Sequence, residues 1–156
     1  DFGDEPRARA LARAVVRRRA TRPFATSDDF VNAVREVLGA RSGPPDFARL
    51  FQAVRIAVND ELARLAAALE GWRVVLEPGG VLAVISYHSG EDRTAKHTFR
   101  EWAQACVCPR EQPVCTCRGR PLGALLTRRP VIAGDEEVAA NPRARSARLR
   151  AFRTAP

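Results

Sequence analysis

Val81-Leu82-Ala83-Val84-Ile85-Ser86-Tyr87-His88-Ser89-Gly90-Glu91-Asp92-Arg93 runs without a break from an apolar segment into a polar cluster. Its first seven residues read as a strand, continuously apolar from Val81 to Ile85 rather than alternating, the pattern of a strand buried on both faces. Such strands belong to parallel sheets, so this stretch predicts an α/β fold. Glu77-Pro78-Gly79-Gly80 just before it reads as a turn. Ser89 with Asp92 is placed to cap a helix running through Ala95, Phe99 and Trp102. In open α/β sheets ligands bind beyond the carboxyl ends of the strands. Ser86, His88, Ser89, Asp92 and Arg93 therefore form the first candidate site, offering hydroxyls, an imidazole, a carboxylate and a guanidinium. The plainer alternative keeps Ser89 and Asp92 as a cap and His88 as a surface residue. A Ser–His hydrolase is disfavoured, because no G-x-S-x-G elbow is present and no acid partner is evident.

Upstream, Ala8, Leu11, Ala12, Val15 and Val16 recur at helical spacing behind Asp4 and Pro6. Thr26 with Asp29 resembles a capping box, followed by Phe30, Val31, Val34, Val37 and Leu38, with Gly39 as the C-cap. Residues 4–39 thus read as a helical pair. A breaker-rich loop covers 40–46. One helix is expected over about 47–70, with Leu50, Phe51, Val54, Val58, Leu62, Leu65 and Leu69 on one stripe and Arg55, Asn59 and Asp60 on another face. Downstream, Leu122–Thr127 reads as a short strand, Asp135–Ala140 as a short helix, and Ser146–Phe152 as a final strand.

Composition narrows the function classes. The chain has 156 residues, no methionine and a net charge of +8. No apolar run approaches the roughly 18–20 residues of a membrane span, and no secretory pattern opens the chain. A start at Asp1 without methionine implies processing or a piece of something longer. The charge is uneven. Residues 1–22 carry seven Arg against three acids, and residues 118–156 carry nine against three, whereas the middle is slightly acidic. Basic flanks suit a polyanion, nucleic acid foremost, although Arg-rich coding also contributes. Arg143 and Arg145, in Asn141-Pro142-Arg143-Ala144-Arg145-Ser146, are placed to grip phosphates, or else to form a charged linker. Cys106, Cys108, Cys115 and Cys117 make a C-x-C, six residues, C-x-C pattern. Zinc knuckles prefer wider C-x2–4-C spacing. The expectation is therefore free thiols and no metal, with a structural zinc on these four cysteines as the weaker alternative.

These residues together resemble a family. Ile85–Arg93 is similar to the ISFHSLEDR segment of the bacterial ribosomal RNA small subunit methyltransferase H family. Phe51–Leu62 is similar to its FQALRIAVNDEL, Pro78-Gly79-Gly80 to its PGG turn, Cys106–Cys117 to its C-x-C-P…PVC-x-C stretch, and Asn141–Arg150 to its NPRARSAKLR. Leu125-Leu126-Thr127 and the opening Phe2–Ala8 agree as well. Gly90 stands where the family has Leu, and Asp46 where it has proline. The resemblance implies a Rossmann-like class I S-adenosylmethionine-dependent methyltransferase, with the chain as its incomplete C-terminal half. Residues 1–46 would be part of an inserted helical domain and 47–156 the C-terminal half of the catalytic domain. It implies methylation of the N4 amine of a cytosine in 16S ribosomal RNA, in the cytoplasm, with the small ribosomal subunit as partner and no membrane. The cofactor is S-adenosylmethionine, but the family's Gly-rich cofactor loop lies upstream, so no cofactor-binding residue is expected here. His88 or Asp92 would orient the amine or accept its proton, with Ser86 and Ser89 beside them. Arg55, Arg93, Arg143 and Arg145 would hold RNA, and Asn59 would accompany them or only buttress a turn. The alternative is a non-catalytic basic RNA-binding or zinc-ribbon module.

Overall fold

The computed structural model describes residues 2–109 and 111–156. The chain divides into two compact units, Asp1–Glu61 and Leu62–Pro156. The first is helical: α1 spans Ala8–Thr21, α2 Ser27–Leu38 and α3 Pro44–Asn59. Asp4 does not cap α1. It sits at φ 45°, and the helix starts four residues beyond it, at Ala8, with Glu5 Oε1 accepting the Arg7 N–H at 2.9 Å. The expected start of α2 is present: Asp29 reaches back to the Thr26 N–H at 2.9 Å. Gly39 ends the helix at φ 97°, a backbone region that costs a side-chain-bearing residue energy. Leu11, Ala33, Val34 and Leu50 form the core of this unit, with Phe24, Phe30 and Phe47 packed around it.

The single helix expected over 47–70 is two. Asp60 adopts the left-handed conformation, φ 53° and ψ 39°, and its N–H closes the last turn of α3 on the Ile56 carbonyl. Asp tolerates that region better than most residues. The apolar stripe continues across the break, which is why periodicity alone merges the two helices.

In the second unit α4 spans Glu61–Val75 by its own helical bounds, β1 Val81–Ser86, α5 Ser89–Trp102, β2 Gly123–Leu125, β3 Val131–Ile132, α6 Asp135–Ala140 and β4 Arg148–Thr154. A 3-10 turn, Pro142–Ser146, joins α6 to β4. The architecture is mixed helix and sheet, but the sheet differs from the parallel one expected. β4 is its centre, flanked by β1 and β2, with β3 also on β4, and every pairing among the described residues is antiparallel. Nor is β1 buried on both faces. Leu82 and Val84 are half-buried against the core, whereas Val81, Ala83 and Ile85 are exposed. The burial alternates although the sequence does not.

The core of this unit is aromatic. Phe99, Trp102 and Phe152 are each fully buried, with ring centroids 5.2–5.6 Å apart. Leu69 and Ala95 complete it. The indole N–H of Trp102 finds Glu70 Oε1 at 2.6 Å, so the buried polar atom is satisfied. Gly123 is required by a close approach: a Cβ there would lie 2.0 Å from the Arg153 carbonyl oxygen and 2.6 Å from Phe152 Cζ. No helix among the described residues is long and apolar enough to cross a membrane.

Candidate functional site

β1 ends at Ser86 and α5 begins at Ser89, so Ser86, His88, Ser89, Asp92 and Arg93 do meet at one strand-to-helix junction. Their roles there differ from those expected. The cap of α5 is His88, not Ser89. Its Nδ1 accepts the Glu91 N–H at 3.3 Å. An imidazole nitrogen that accepts is unprotonated, so the neutral ring carries its proton on Nε2. That Nε2 is buried and makes no hydrogen bond. It lies 3.2 Å from Glu91 Oε1, a charge contact by distance that lacks hydrogen-bond geometry. The other oxygen of Glu91 accepts the Tyr87 N–H at 3.1 Å, which fixes the carboxylate on this turn. Gly90, which stands where the resemblance has Leu, leaves the ring its space. A Cβ at 90 would meet His88 Cε1 and Nδ1 at 3.2 Å and Leu62 at 3.3 Å.

Asp92 is neither a cap nor an accessible base. It is 6 % exposed and faces β4. Arg150 clasps it with two bonds, Nε to Oδ1 at 2.7 Å and Nη2 to Oδ2 at 3.1 Å, and Arg148 adds a third at 3.4 Å. The hydrogen bond from Arg150 holds the Asp92 carboxyl below its ordinary pKa, against the opposing effect of burial. A carboxylate so engaged is a poor proton acceptor. Ser86 is buried too, its hydroxyl donating to the Arg148 carbonyl at 3.3 Å. Ser89 and Arg93 are exposed on the first turns of α5. Sequence reasoning passed over Arg148 and Arg150. The signal was available: residues two apart in a strand share a face, and Asp92 needed a cation if buried.

Arg55 and Asn59 belong to the first unit. Arg55 binds Glu61 through Nε and Nη2, at 2.8 and 3.1 Å, and Asn59 Nδ2 donates to the same carboxylate at 3.3 Å. They brace the turn around Asp60. Arg143 and Arg145 are exposed on the 3-10 turn, which the Asn141 side chain caps by accepting the Arg143 N–H at 3.2 Å. Neither guanidinium makes an ion pair among the described residues.

The four cysteines converge. Their sulfurs all lie within 4.8 Å of one another. Backbone N–H groups of Gly119 and Val107, with the neighbouring Cys115, pull the Cys117 thiol down to about 6. Cys115 accepts a backbone bond from Cys117, but the sulfurs of Cys117, Cys106 and Cys108 outweigh it and push the thiol up to about 12.

Gly79-Gly80 is the chain's one glycine pair. It closes a turn on Glu77 and Ala155, with Gly79 at φ 77°. Among the described residues no glycine-rich loop opens a helix after a strand.

The MraW methylase family matches residues 1–155. The chain belongs to this family. The ribosomal RNA small subunit methyltransferase H of Gemmatimonas aurantiaca is 66 % identical over 154 residues, which are 99 % of this chain and 49 % of that protein. The proteins of the same name from Symbiobacterium thermophilum and Geobacter sulfurreducens are 49 % and 48 % identical, each over 97 % of this chain and 48 % and 50 % of their own length. This MraW chain spans about half the length of the curated relatives it matches. The strand-to-helix junction, the arginine clasp and the four cysteines all lie inside the matched region.

His88 allows a test that separates capping from chemistry. Asn is a good N-cap and Ala is not. Replacing His88 by Ala should cost about 1 kcal/mol in urea unfolding, and His88→Asn appreciably less. Equal losses would mean that the cap contributes nothing.

Proposed function

We propose that this chain works in a methyltransferase of its relatives' length that methylates the N4 amine of a cytosine in 16S ribosomal RNA. The class I, Rossmann-like fold, S-adenosylmethionine as methyl donor, the small ribosomal subunit as partner and a cytoplasmic location are parts of this proposal. So is the division into an inserted helical domain over 1–46 and a catalytic half over 47–156. In this reading the rest of that methyltransferase holds the methyl donor, and this chain's task is the nucleic acid.

The observation that carries the reading is the buried His88 Nε2 without a hydrogen-bond partner, at the end of β1. A cytosine brought into a pocket has been unstacked and is recognised by hydrogen bonds to its edge. That edge presents acceptors at N3 and O2 beside the N4 donor. A His88 Nε2–H suits an acceptor, so His88 would orient the base rather than take the amine proton. Asp92 becomes a positioning residue, tying α5 to β4 through Arg150 and Arg148. Ser89 and Arg93 flank the junction on the exposed first turn of α5. Arg143 and Arg145 would bind backbone phosphates, with Arg55 and Asn59 reserved mainly for Glu61.

RNA affinity against salt tests the arginine assignment on this chain. Each phosphate contact removed should flatten the slope of log K against log salt by about one. The double variant Arg143→Ala/Arg145→Ala should therefore weaken binding to a small-subunit RNA helix and flatten the slope by about two. An unchanged slope would take both residues out of the interface. His88→Asn, placed in a relative of full length, should lower methyl transfer while sparing the fold. Wild-type transfer would remove His88 from base recognition.

A further inference from the structure

We propose that Cys106, Cys108, Cys115 and Cys117 hold one zinc ion in a closed four-thiolate site that orders the loop between α5 and β2. The spacing argued for free thiols, but the geometry points the other way. Zinc binds thiolate sulfur tetrahedrally at about 2.3 Å, so the sulfurs of a four-cysteine site stand about 3.8 Å apart. Here Cys115 lies 3.5 Å from Cys117, 3.7 Å from Cys106 and 3.9 Å from Cys108. All four are within 4.8 Å of one another. Four thiols seldom crowd to that separation by packing alone, and among the described residues no apolar cluster gathers them: Cys106 and Cys115 are exposed, as are Val107 and Val114 between and beside them.

The surroundings suit anionic sulfur. The Val107 N–H points at Cys117 Sγ at 3.4 Å, and Gly119 supplies a second backbone bond to the same atom. Amides of this kind orient ligands and steady their charge. Gln112 braces the turn between the two C-x-C pairs, donating to the Val114 carbonyl and to Thr116 Oγ1, each at 2.8 Å.

The loop also needs what a metal supplies. No helix or strand lies between Trp102 and Gly123 among the described residues. Structureless connections of that length are uncommon in compact domains. Its base is closed by the Leu122 N–H on the Trp102 carbonyl at 2.7 Å and by Arg118, which donates to the carbonyls of Glu101, Gln104 and Arg120. At its far end, among the described residues, the two C-x-C pairs are held by the Gln112 bonds and by the approach of the four sulfurs. With all four positions taken by protein, no site remains for a metal-bound water, so the ion is structural rather than catalytic. Binding displaces the proton of each thiol still protonated, with Zn2+ taking four thiolate electron pairs and no change of oxidation state. This inference does not depend on the RNA reading.

Metal analysis of the chain, purified without chelator, should find one zinc per chain. Cobalt added to the chelator-stripped, reduced protein should give thiolate-to-metal charge-transfer bands and the ligand-field bands of a tetrahedral four-sulfur site. Cys115→Ser should weaken zinc by more than the roughly 10–100-fold that losing an outer-shell partner costs, while Val114→Ala keeps full stoichiometry. Stripping the metal should open residues 103–122 to trypsin with the aromatic core still folded by near-ultraviolet circular dichroism. The proposal is overturned if the reduced chain, held anaerobically with equimolar zinc, still shows four titratable thiols. Iron in place of zinc, or zinc retained unchanged in Cys115→Ser, would overturn it equally.

Discussion

Replacing Asp92 by Ala should destabilise the second unit by about 3–5 kcal/mol, the range for breaking one partner out of a buried ion pair. The loss is not the attraction of the pair. It is chiefly the cost of leaving the Arg150 guanidinium, 7 % exposed, without its carboxylate. Water cannot take over, and the neutral alternative is closed to arginine at any ordinary pH. Arg148 is half in solvent and recovers hydration, so it adds little to the penalty. Because the cost lies in the orphaned charge, the double variant Asp92→Leu/Arg150→Met should recover much of what Asp92→Ala loses. Urea unfolding of the two variants and their parent measures both. If Asp92→Ala loses less than about 1 kcal/mol, the pair is solvated and the clasp is not what ties α5 to β4.

The pH dependence has a defined sign. Arg150 depresses the folded-state pKa of Asp92. Between the folded and unfolded values the unfolded chain binds more protons, so stability rises with pH across that window. The contribution is complete above the unfolded value, about 3.9, and is lost as pH falls through the lower folded value. Asp92→Asn should flatten this part of the acid limb. An acid limb identical to that of the parent would show that the clasp carries no linked proton.

Much of this arrangement was legible in the sequence wherever the cause is local. The Gly80 N–H closing a turn on Glu77, the α2 start at Thr26 and Asp29, and its stop at Gly39 all rest on neighbours within four residues. So does the meeting of Ser86, His88 and Asp92 at one strand end, since a strand followed at once by a helix places them there. The misreadings share a different cause. A continuous apolar run says that a strand is fit for burial on two faces. It does not say which strand lies beside it, and β1 finds β4, antiparallel, 62 residues away from Ser86 to Arg148. The partner of Asp92 is equally remote, 58 residues on. Without that partner, Asp92 reads as one more polar residue at a helix start. His88 was missed as a cap because imidazole is not among the common capping side chains. The cysteines show what spacing leaves out: two C-x-C pairs are tighter than a zinc knuckle, yet a loop that folds back brings four sulfurs within 4.8 Å of one another. Asp60 shows the converse, an apolar stripe that stays in phase through a left-handed residue.

The largest packing effect is expected at Phe152. It is fully buried in the central strand β4, opposite Leu82 on β1 and Leu125 on β2. Its ring meets Phe99 at 5.6 Å and stands edge-on to Trp102 at 5.2 Å. Phe152→Ala removes that ring from the aromatic core between sheet and helix, and should cost about 3–5 kcal/mol. Collapse cannot refill the space cheaply. On one side the strand backbone is fixed by ladders to both neighbours. On the other, Gly123 offers no side chain, and the ring already occupies the volume where its Cβ would be. Trp102 is held from behind by Glu70 at 2.6 Å and by the Arg73 guanidinium 5.3 Å from its ring, so it is not free to swing inward. Phe152→Leu, which keeps most of the volume, should lose less than Phe152→Ala. Ile132→Ala, at an exposed position in the same sheet, should stay within about 0.5 kcal/mol of the parent. Chemical unfolding of the three variants ranks them. If Phe152→Ala ranks with Ile132→Ala, the three-ring cluster is not the core of this unit.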